Sequence, residues 1–285
     1  MSDARQRAAL AERAARAGGA VARDLFRAEF EVETKADKND LVTDADREAQ
    51  RQVVHTVVQE FPDEAFLCEE TLENPGGEDS PDTPKSIQRA GPAVETVPES
   101  GACWVVDPVD GTANFARGLR IWGTSIAATI DGETVAAATY LPALQDIYTV
   151  GPDSASRNGQ PLRTSERTDP ETFAVGLVAR WSIDSSDRFG ALARQINRHF
   201  GDSRRFGSYQ ATLGMVASGE LDAAVTTEPS TPWDTLAGVE LVRAAGGSVT
   251  DLDGSPWTLD TDGLIASNGT AHDDVVDAAQ RAMAE

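Results

Sequence analysis

Two aspartates three residues apart, Asp107 and Asp110, close an apolar run and flank a proline in the segment WVVDPVDGTANFARG, residues 104–118. Pro108 restricts the backbone and lacks an N–H. Charged groups just beyond a buried strand are costly unless neutralised, and a divalent cation would neutralise both. Oxygen ligands of this kind favour Mg²⁺ or Mn²⁺ over zinc, and no His or Cys cluster competes for the assignment. Gly111-Thr112-Ala113-Asn114 follows and can begin a helix. Its N–H groups would face the cations and receive a phosphate, with Gly111 permitting close approach. An isolated D-x-x-D would read as a capped turn, in which Asp110 merely caps a helix. Here two acids, a Gly-Thr pair and a preceding apolar strand occur together.

The pattern around this segment predicts a mixed α/β (α+β) protein built in layers. Residues 4–30, rich in Ala and Arg with helically spaced apolar positions, read as one or two helices. Residues 45–60 read as a helix stopped by Pro62, with Thr43 and Asp44 as caps. Short apolar runs at 66–68 and 104–106 suit buried strands. Asp131-Gly132 between 123–130 and 133–140 signals a hairpin, and Asn158-Gly159 marks another turn after a strand at 146–150. Strands at 173–179, 221–226, 248–250 and 264–267 then alternate with helices at 187–200, 209–218, 234–245 and 273–283. Gly246-Gly247 closes the third of these helices. Residues 71–100, rich in Pro, Gly, Ser and acids, read as a long surface loop, with a lid over the site as the alternative. There are no internal repeats.

A chain of 285 residues with 40% hydrophobic content can bury a substantial core. We expect one domain over 1–285, with an N-terminal subdomain of about 1–150 and a C-terminal subdomain of about 151–285. No stretch approaches the roughly 18 consecutive apolar residues of a membrane-spanning helix. The N-terminal residues are charged and lack the apolar core of a secretory signal, so a cytoplasmic location is expected. Asp and Glu number 47 against 25 Lys and Arg, a net charge of −22, and the only lysines are Lys35, Lys38 and Lys85. Such a surface argues against nucleic acid or anionic membranes as partners. Concentrated salt would screen it, since the Debye length falls to about 3 Å at 1 M, and a halophilic cytosol is the expected setting. Cys68 and Cys103 form no metal-binding pattern; both precede acidic site candidates, which suggests that they lie near each other, and no chemistry is assigned to them.

The 104–118 segment resembles the W-x-x-D-P-x-D-G-T-x-N-F-x-x-G motif of the inositol monophosphatase family, the lithium-sensitive sugar and inositol phosphatases. Three further segments agree in order and spacing. DLVTDAD at 40–46 is similar to the family's D-x-V-T-x-x-D, with Lys35 upstream in a familiar place. FLCEET at 66–71 resembles its G-E-E motif, and WDTLAGVELVRAAGG at 233–247 resembles W-D-x-A-A-G. The resemblance covers roughly residues 8–280 and implies the layered αβαβα sugar-phosphatase fold. Cys68 replaces the usual Gly, Leu236 an Ala-type position, and the 71–100 loop is long; none removes a ligand.

The resemblance implies roles. Glu69, Asp107 and the Val109 carbonyl would hold one metal ion, and Asp107, Asp110 and Asp234 a second. Asp46 would sit near Thr112 or bind a third, looser ion through water. Thr112 with Glu69 would position and deprotonate the attacking water, and the Gly111 and Thr112 N–H groups would bind phosphate oxygens. Two or three Mg²⁺ are implied, with Mn²⁺ as a substitute. Monoester hydrolysis needs an activated water, neutralised phosphoryl oxygens and help for the leaving alkoxide; two metals about 3.5–4 Å apart meet all three needs. Attack would be direct and in line, and no Cys-x5-Arg motif offers a covalent route. Taken singly, Asp46 and Glu69 read as surface acids, Asp234 as a helix-start acid favoured by the dipole, and Thr112 as a cap.

The implied substrate is a small phosphorylated polyol or sugar, inositol 1-phosphate or fructose 1,6-bisphosphate, as in archaeal-type relatives that combine both activities. Tyr209 and Glu228, with Asp110 and Asp234, would contact it, although Glu228 stands one residue out of the family spacing to Trp233. Arg204 and Arg205 read either as a second-phosphate contact or as surface salt bridges. The alternatives are a 3′-phosphoadenosine 5′-phosphate phosphatase of the same fold and a non-catalytic, metal-binding regulatory relative. The resemblance also implies a homodimer.

Overall fold

The computed structural model describes residues 2–27, 32–34, 41–71, 90–178 and 185–285. The Ala- and Arg-rich start forms a single helix, α1 (Ser2–Leu25), which ends in a turn at Phe26 and Arg27. A short antiparallel pair follows, β1 (Val32–Thr34) with β2 (Leu41–Thr43), and α2 (Asp44–Val58) begins directly after it. The expected motif residues Lys35 and Asp40 lie outside the described residues.

Seven strands then form one sheet in chain order: β3 (Ala65–Cys68), β4 (Ala102–Asp110), β5 (Gly123–Ile130), β6 (Glu133–Leu141), β7 (Asp146–Gly151), β8 (Ser154–Arg157) and β9 (Gln160–Pro161), with helix α3 (Thr112–Ala116) after β4. Only β3 and β4 run parallel. The Asp131-Gly132 and Asn158-Gly159 turns both take positive φ, as a two-residue hairpin requires.

The second sheet has five strands. β10 (Ala174–Leu177) lies parallel to β11 (Asp202–Arg204) and to β12 (Ala223–Thr226), while β14 (Leu264–Ser267) pairs antiparallel with β12 and with β13 (Ser248–Thr250). Its helices are α4 (Ser186–His199), α5 (Tyr209–Ala217), α6 (Pro232–Ala244) and α7 (His272–Met283).

Alternation of side chains along the strands sorts these elements into five layers. One face of the seven-stranded sheet, with Trp104, Val106 and Ile126, packs on α1 and α2. Its other face, with Leu67, Val105 and Ala127, shares a core with α5, α6 and the near face of the second sheet, including Ala224 and Ala266. The far face of that sheet, with Val175, Val225 and Ile265, packs on α4 and α7. The order is the αβαβα stack that the family resemblance implied.

Three local expectations change. β4 runs through Pro108 to Asp110 rather than stopping at Val106, because a bulge accommodates the proline. The end of the expected 71–100 loop docks on β3: Phe66 N–H donates to Pro92 O at 3.0 Å and Val94 N–H to Phe66 O at 2.9 Å. Residues 72–89, including any lid, lie outside the described residues. Cys68 and Cys103 sit on neighbouring strands but on opposite faces of the sheet, Cys103 with Leu67 and Val105, Cys68 against the Phe66 and Trp104 layer. Both are free thiols, and burial pushes both pKa values up, Cys103 to about 11.

Candidate functional site

In a regular strand, residues three apart point to opposite faces. Asp107 and Asp110 do not, because β4 pairs Asp107 with Ser125 and Asp110 with Gly123, three steps against two. The extra residue of this bulge turns both carboxylates toward one place. Thr124 Oγ1 donates to Pro108 O at 2.7 Å and pins the bulge. Asp234 arrives there from α6, and one oxygen each of Asp107, Asp110 and Asp234 lie within 4.8 Å of one another. The three residues are 1%, 3% and 6% exposed.

The Asp110 carboxylate is seated on the start of α5. Tyr209 N–H donates to Oδ1 at 2.9 Å, Gln210 N–H donates to Oδ2 at 2.8 Å, and the Ser208 hydroxyl also donates to Oδ2. Ser208 in turn caps the helix by accepting Ala211 N–H at 3.1 Å. Burial pushes the Asp110 carboxyl up to about 6, with these donors pulling the other way. Asp234 is held by Thr231, whose Oγ1 donates to its Oδ2 at 2.7 Å across the first turn of α6. α6 approaches α5 closely because Gly238 has no Cβ; one there would fall 2.6 Å from Leu213 Cβ.

A second acidic group stands beside the first. Asp46, buried in the first turn of α2, meets Glu69 and Glu70, again with one oxygen each within 4.8 Å. Glu69 N–H donates to Val106 O at 3.1 Å, which continues the β3–β4 pairing and brings Glu69 alongside Asp107. The buried side-chain amide of Gln50 holds Glu70 from α2, donating to its carbonyl at 2.7 Å and accepting its N–H at 3.0 Å. Thr112 joins the two groups: its hydroxyl faces Asp46 Oδ1 at 3.3 Å and Val109 O at 3.0 Å. Gly111 precedes α3 in the left-handed region, φ 87°, and a Cβ there would meet Gly207 O and Ile121 O at 3.1 Å. A side chain would therefore be strained there as well as crowded.

The remaining expected residues are placed differently. Tyr209 contributes its backbone N–H to Asp110, while its phenol pairs with Ser230 Oγ at 3.0 Å. Glu228 belongs to neither acidic group and lies 3.5 Å from Arg188 of α4. Burial raises its pKa and Arg188 opposes the rise. Arg204 pairs with Asp202, and Arg205 stands over the Phe189 ring at 5.7 Å. Sequence reasoning missed Glu70, although it stands in FLCEET, and it missed Gln210 and Thr231, which carry no motif of their own. The segment Gly207-Ser208-Tyr209 reads from sequence as a helix start near the substrate, without the Ser208 contact to Asp110.

Both groups offer carboxylate oxygens alone, without imidazole or thiolate. Three buried carboxylates this close repel in a low dielectric, and a hard divalent cation offsets that repulsion. The residues fit such an ion.

The sequence matches the inositol monophosphatase family over residues 3–284. It is 32% identical over 246 residues to a Thermotoga maritima fructose-1,6-bisphosphatase/inositol-1-monophosphatase, covering 86% of this chain and 84% of that one. It is 30% identical over 263 residues to the Nus factor SuhB of Escherichia coli K12, covering 91% and 90%. Among solved structures, a Thermotoga maritima IMPase superposes with a TM-score of 0.81 at 27% identity, covering 100% of this chain and 99% of the other.

Proposed function

Because the chain belongs to the inositol monophosphatase family of metal-dependent phosphatases, we propose that it hydrolyses inositol 1-phosphate, fructose 1,6-bisphosphate or both. The observation that carries this reading is the meeting of buried Asp107, Asp110 and Asp234 within 4.8 Å, beside Thr112 and Glu69. Glu69, Asp107, the Val109 carbonyl, Asp110 and Asp234 would hold two Mg²⁺ ions, with Mn²⁺ as a substitute and a third ion near Asp46. Bound divalent cations supply positive charge for the phosphoryl oxygens and lower the pKa of water.

The protein's own groups do the rest. The Thr112 proton is directed toward Asp46 and Val109 O, so its oxygen lone pairs remain to accept a hydrogen bond from the attacking water and orient it. The Glu69 carboxylate takes the proton that this water gives up, and Asp46 fixes the Thr112 rotamer. The backbone N–H groups of Gly111 and Thr112 bind phosphate oxygens, which the absence of a Cβ at Gly111 permits. The leaving alkoxide lies toward Asp110, Asp234 and the 209–230 region, where Tyr209 and Glu228 contact the polyol.

We further assign residues of about 1–150 and about 151–285 to two subdomains of one domain, and expect a cytoplasmic homodimer in concentrated salt, in keeping with the net charge of −22. No described helix is long and apolar enough to cross a membrane.

Phosphate release from inositol 1-phosphate, fructose 1,6-bisphosphate and 3′-phosphoadenosine 5′-phosphate, with and without Mg²⁺, at low and molar salt, tests this reading. Cation-dependent release from either of the first two supports it. Release from the nucleotide alone would move the substrate class. The name of the 30%-identical Nus factor favours a second, non-catalytic reading, to which silence on all three substrates would point.

A further inference from the structure

Gln210 is a fully buried amide with a divided set of partners. Its backbone N–H donates to Asp110 Oδ2 at 2.8 Å, and its side-chain Nε2 donates to the Trp233 carbonyl at 2.7 Å. Trp233 immediately precedes Asp234. One residue of α5 thus grips two of the three carboxylate positions, one directly and one through the adjoining peptide. Its Oε1 has no hydrogen-bond partner among the described residues and lies where α5 meets α6, 3.0 Å from the place a Gly238 Cβ would occupy.

Stability alone does not favour this residue. A carbonyl in the first turn of a helix already receives the N–H four residues on, so the bond to Trp233 O is an additional one. A buried acceptor without a partner opposes folding. The neighbouring α5 positions Ala211, Leu213 and Val216 are buried and apolar, and an unbranched apolar side chain would fill the same space with no orphan oxygen. What only the amide supplies is a fixed tie between the Asp110 peptide cradle and the first turn of α6.

We propose that Gln210 is a positioning residue that sets the separation of Asp110 and Asp234 and so the affinity of the site for its divalent cation. This inference rests on the reading of those two carboxylates as cation ligands. It requires no contact between Gln210 and the ion. Outer partners of metal ligands typically influence affinity by about 10–100-fold.

The test uses the full-length protein and Mn²⁺ alone, with free Mn²⁺ followed by electron paramagnetic resonance. Gln210→Met and, as a second variant of different shape, Gln210→Leu are compared with the wild type. Mn²⁺ affinity is expected to fall about 10–100-fold, while the metal-free melting temperature stays level or rises. Unchanged affinity in a folded variant overturns the proposal. So does a loss of affinity accompanied by a lower metal-free melting temperature in both variants, which would make the amide a structural element only. Asp234→Asn separates the two levels of inference. Wild-type Mn²⁺ affinity in that variant would sink the ligand reading and this proposal with it. Lost binding in Asp234→Asn with normal binding in Gln210→Met would sink this proposal alone.

Discussion

Asp110 accepts the Tyr209 backbone N–H at 2.9 Å, so a carboxylate at the end of a strand in one sheet closes the start of a helix in the layer between the two sheets. The same side chain is a candidate cation ligand. Replacing it by Asn keeps one acceptor for the helix but removes the charge. Asp110→Asn is expected to leave a folded protein whose phosphate release falls by more than the roughly 10–100-fold that loss of an outer partner costs. Circular dichroism alongside the phosphate assay checks this. Normal turnover in a folded Asp110→Asn protein would refute the ligand role.

The pKa of Asp110, pushed up to about 6 by burial, gives a pH dependence with two opposite signs. Below about 6 the carboxyl is protonated, and a cation must displace the proton. Mg²⁺ affinity measured by calorimetry should therefore fall as pH drops from 7 to 5. The metal-free protein should respond the other way. Its folded pKa lies above the usual carboxylate value of about 3.9, so this group adds stability as pH falls from above 6 toward 4.

Gly238 is the contact point of α5 and α6. Glycine inside a helix is normally about 1 kcal/mol worse than Ala, yet a Cβ here would fall 2.5 Å from Leu213 Cδ1 and 2.6 Å from Leu213 Cβ. Overpacking of this kind costs about 1–3 kcal/mol, and the Cβ clash cannot be relieved by rotating the leucine tip. Gly238→Ala should lower the melting temperature and weaken cation binding together, since Asp234 rides on the displaced helix. A melting temperature above that of the wild type would show that the helices do not approach this closely.

His272, at the start of α7, is half-buried with both ring nitrogens hydrogen-bonded. Thr250 Oγ1 donates to Asp251 O at 2.9 Å and therefore accepts from His272 Nε2 at 2.8 Å. Ser267 Oγ accepts Gly269 N–H at 3.0 Å and pairs with Nδ1 at 2.8 Å, donating to it when the imidazole is neutral. Burial lowers the His272 pKa, against the opposing pull of Asp273. Because the folded value lies below the unfolded one of about 6.5, this contribution is complete above pH 6.5 and is lost as pH falls through the folded value. In thermal melts across pH 5 to 8, the separation between the wild type and His272→Gln should be constant above pH 6.5 and shrink toward the acidic end, as the wild type alone loses this contribution.

Much of the site was legible because its residues are local in sequence. WVVDPVDGT carries two carboxylates, the bulging proline and the glycine turn within one stretch, and the hairpin turns at 131–132 and 158–159 announce themselves by residue type. Glu69 and Asp234 were reached through motif resemblance, since an acid in an acidic protein says little alone. What stayed hidden depends on contacts between distant segments. Whether Asp107 and Asp110 share a side depends on register with β5, which a residue pattern does not encode. Ser208, Gln210 and Thr231 act through partners that only folding supplies. β11, with the polar sequence Asp-Ser-Arg, has no strand signature and forms because β10 offers it an edge. The two cysteines, close along neighbouring strands, were separated by the sheet itself.

The helical layer formed by α5 and α6 has a further consequence for how the molecule comes into being. Neither sheet can cover its inner face until that layer is in place, and Asp234 and its supports come with it. A growing chain that has made only the first sheet would hold the Asp46, Glu69 and Glu70 group but lack the third member of the Asp107, Asp110 and Asp234 group. Assembly of the Asp107, Asp110 and Asp234 group therefore marks completion of the whole architecture.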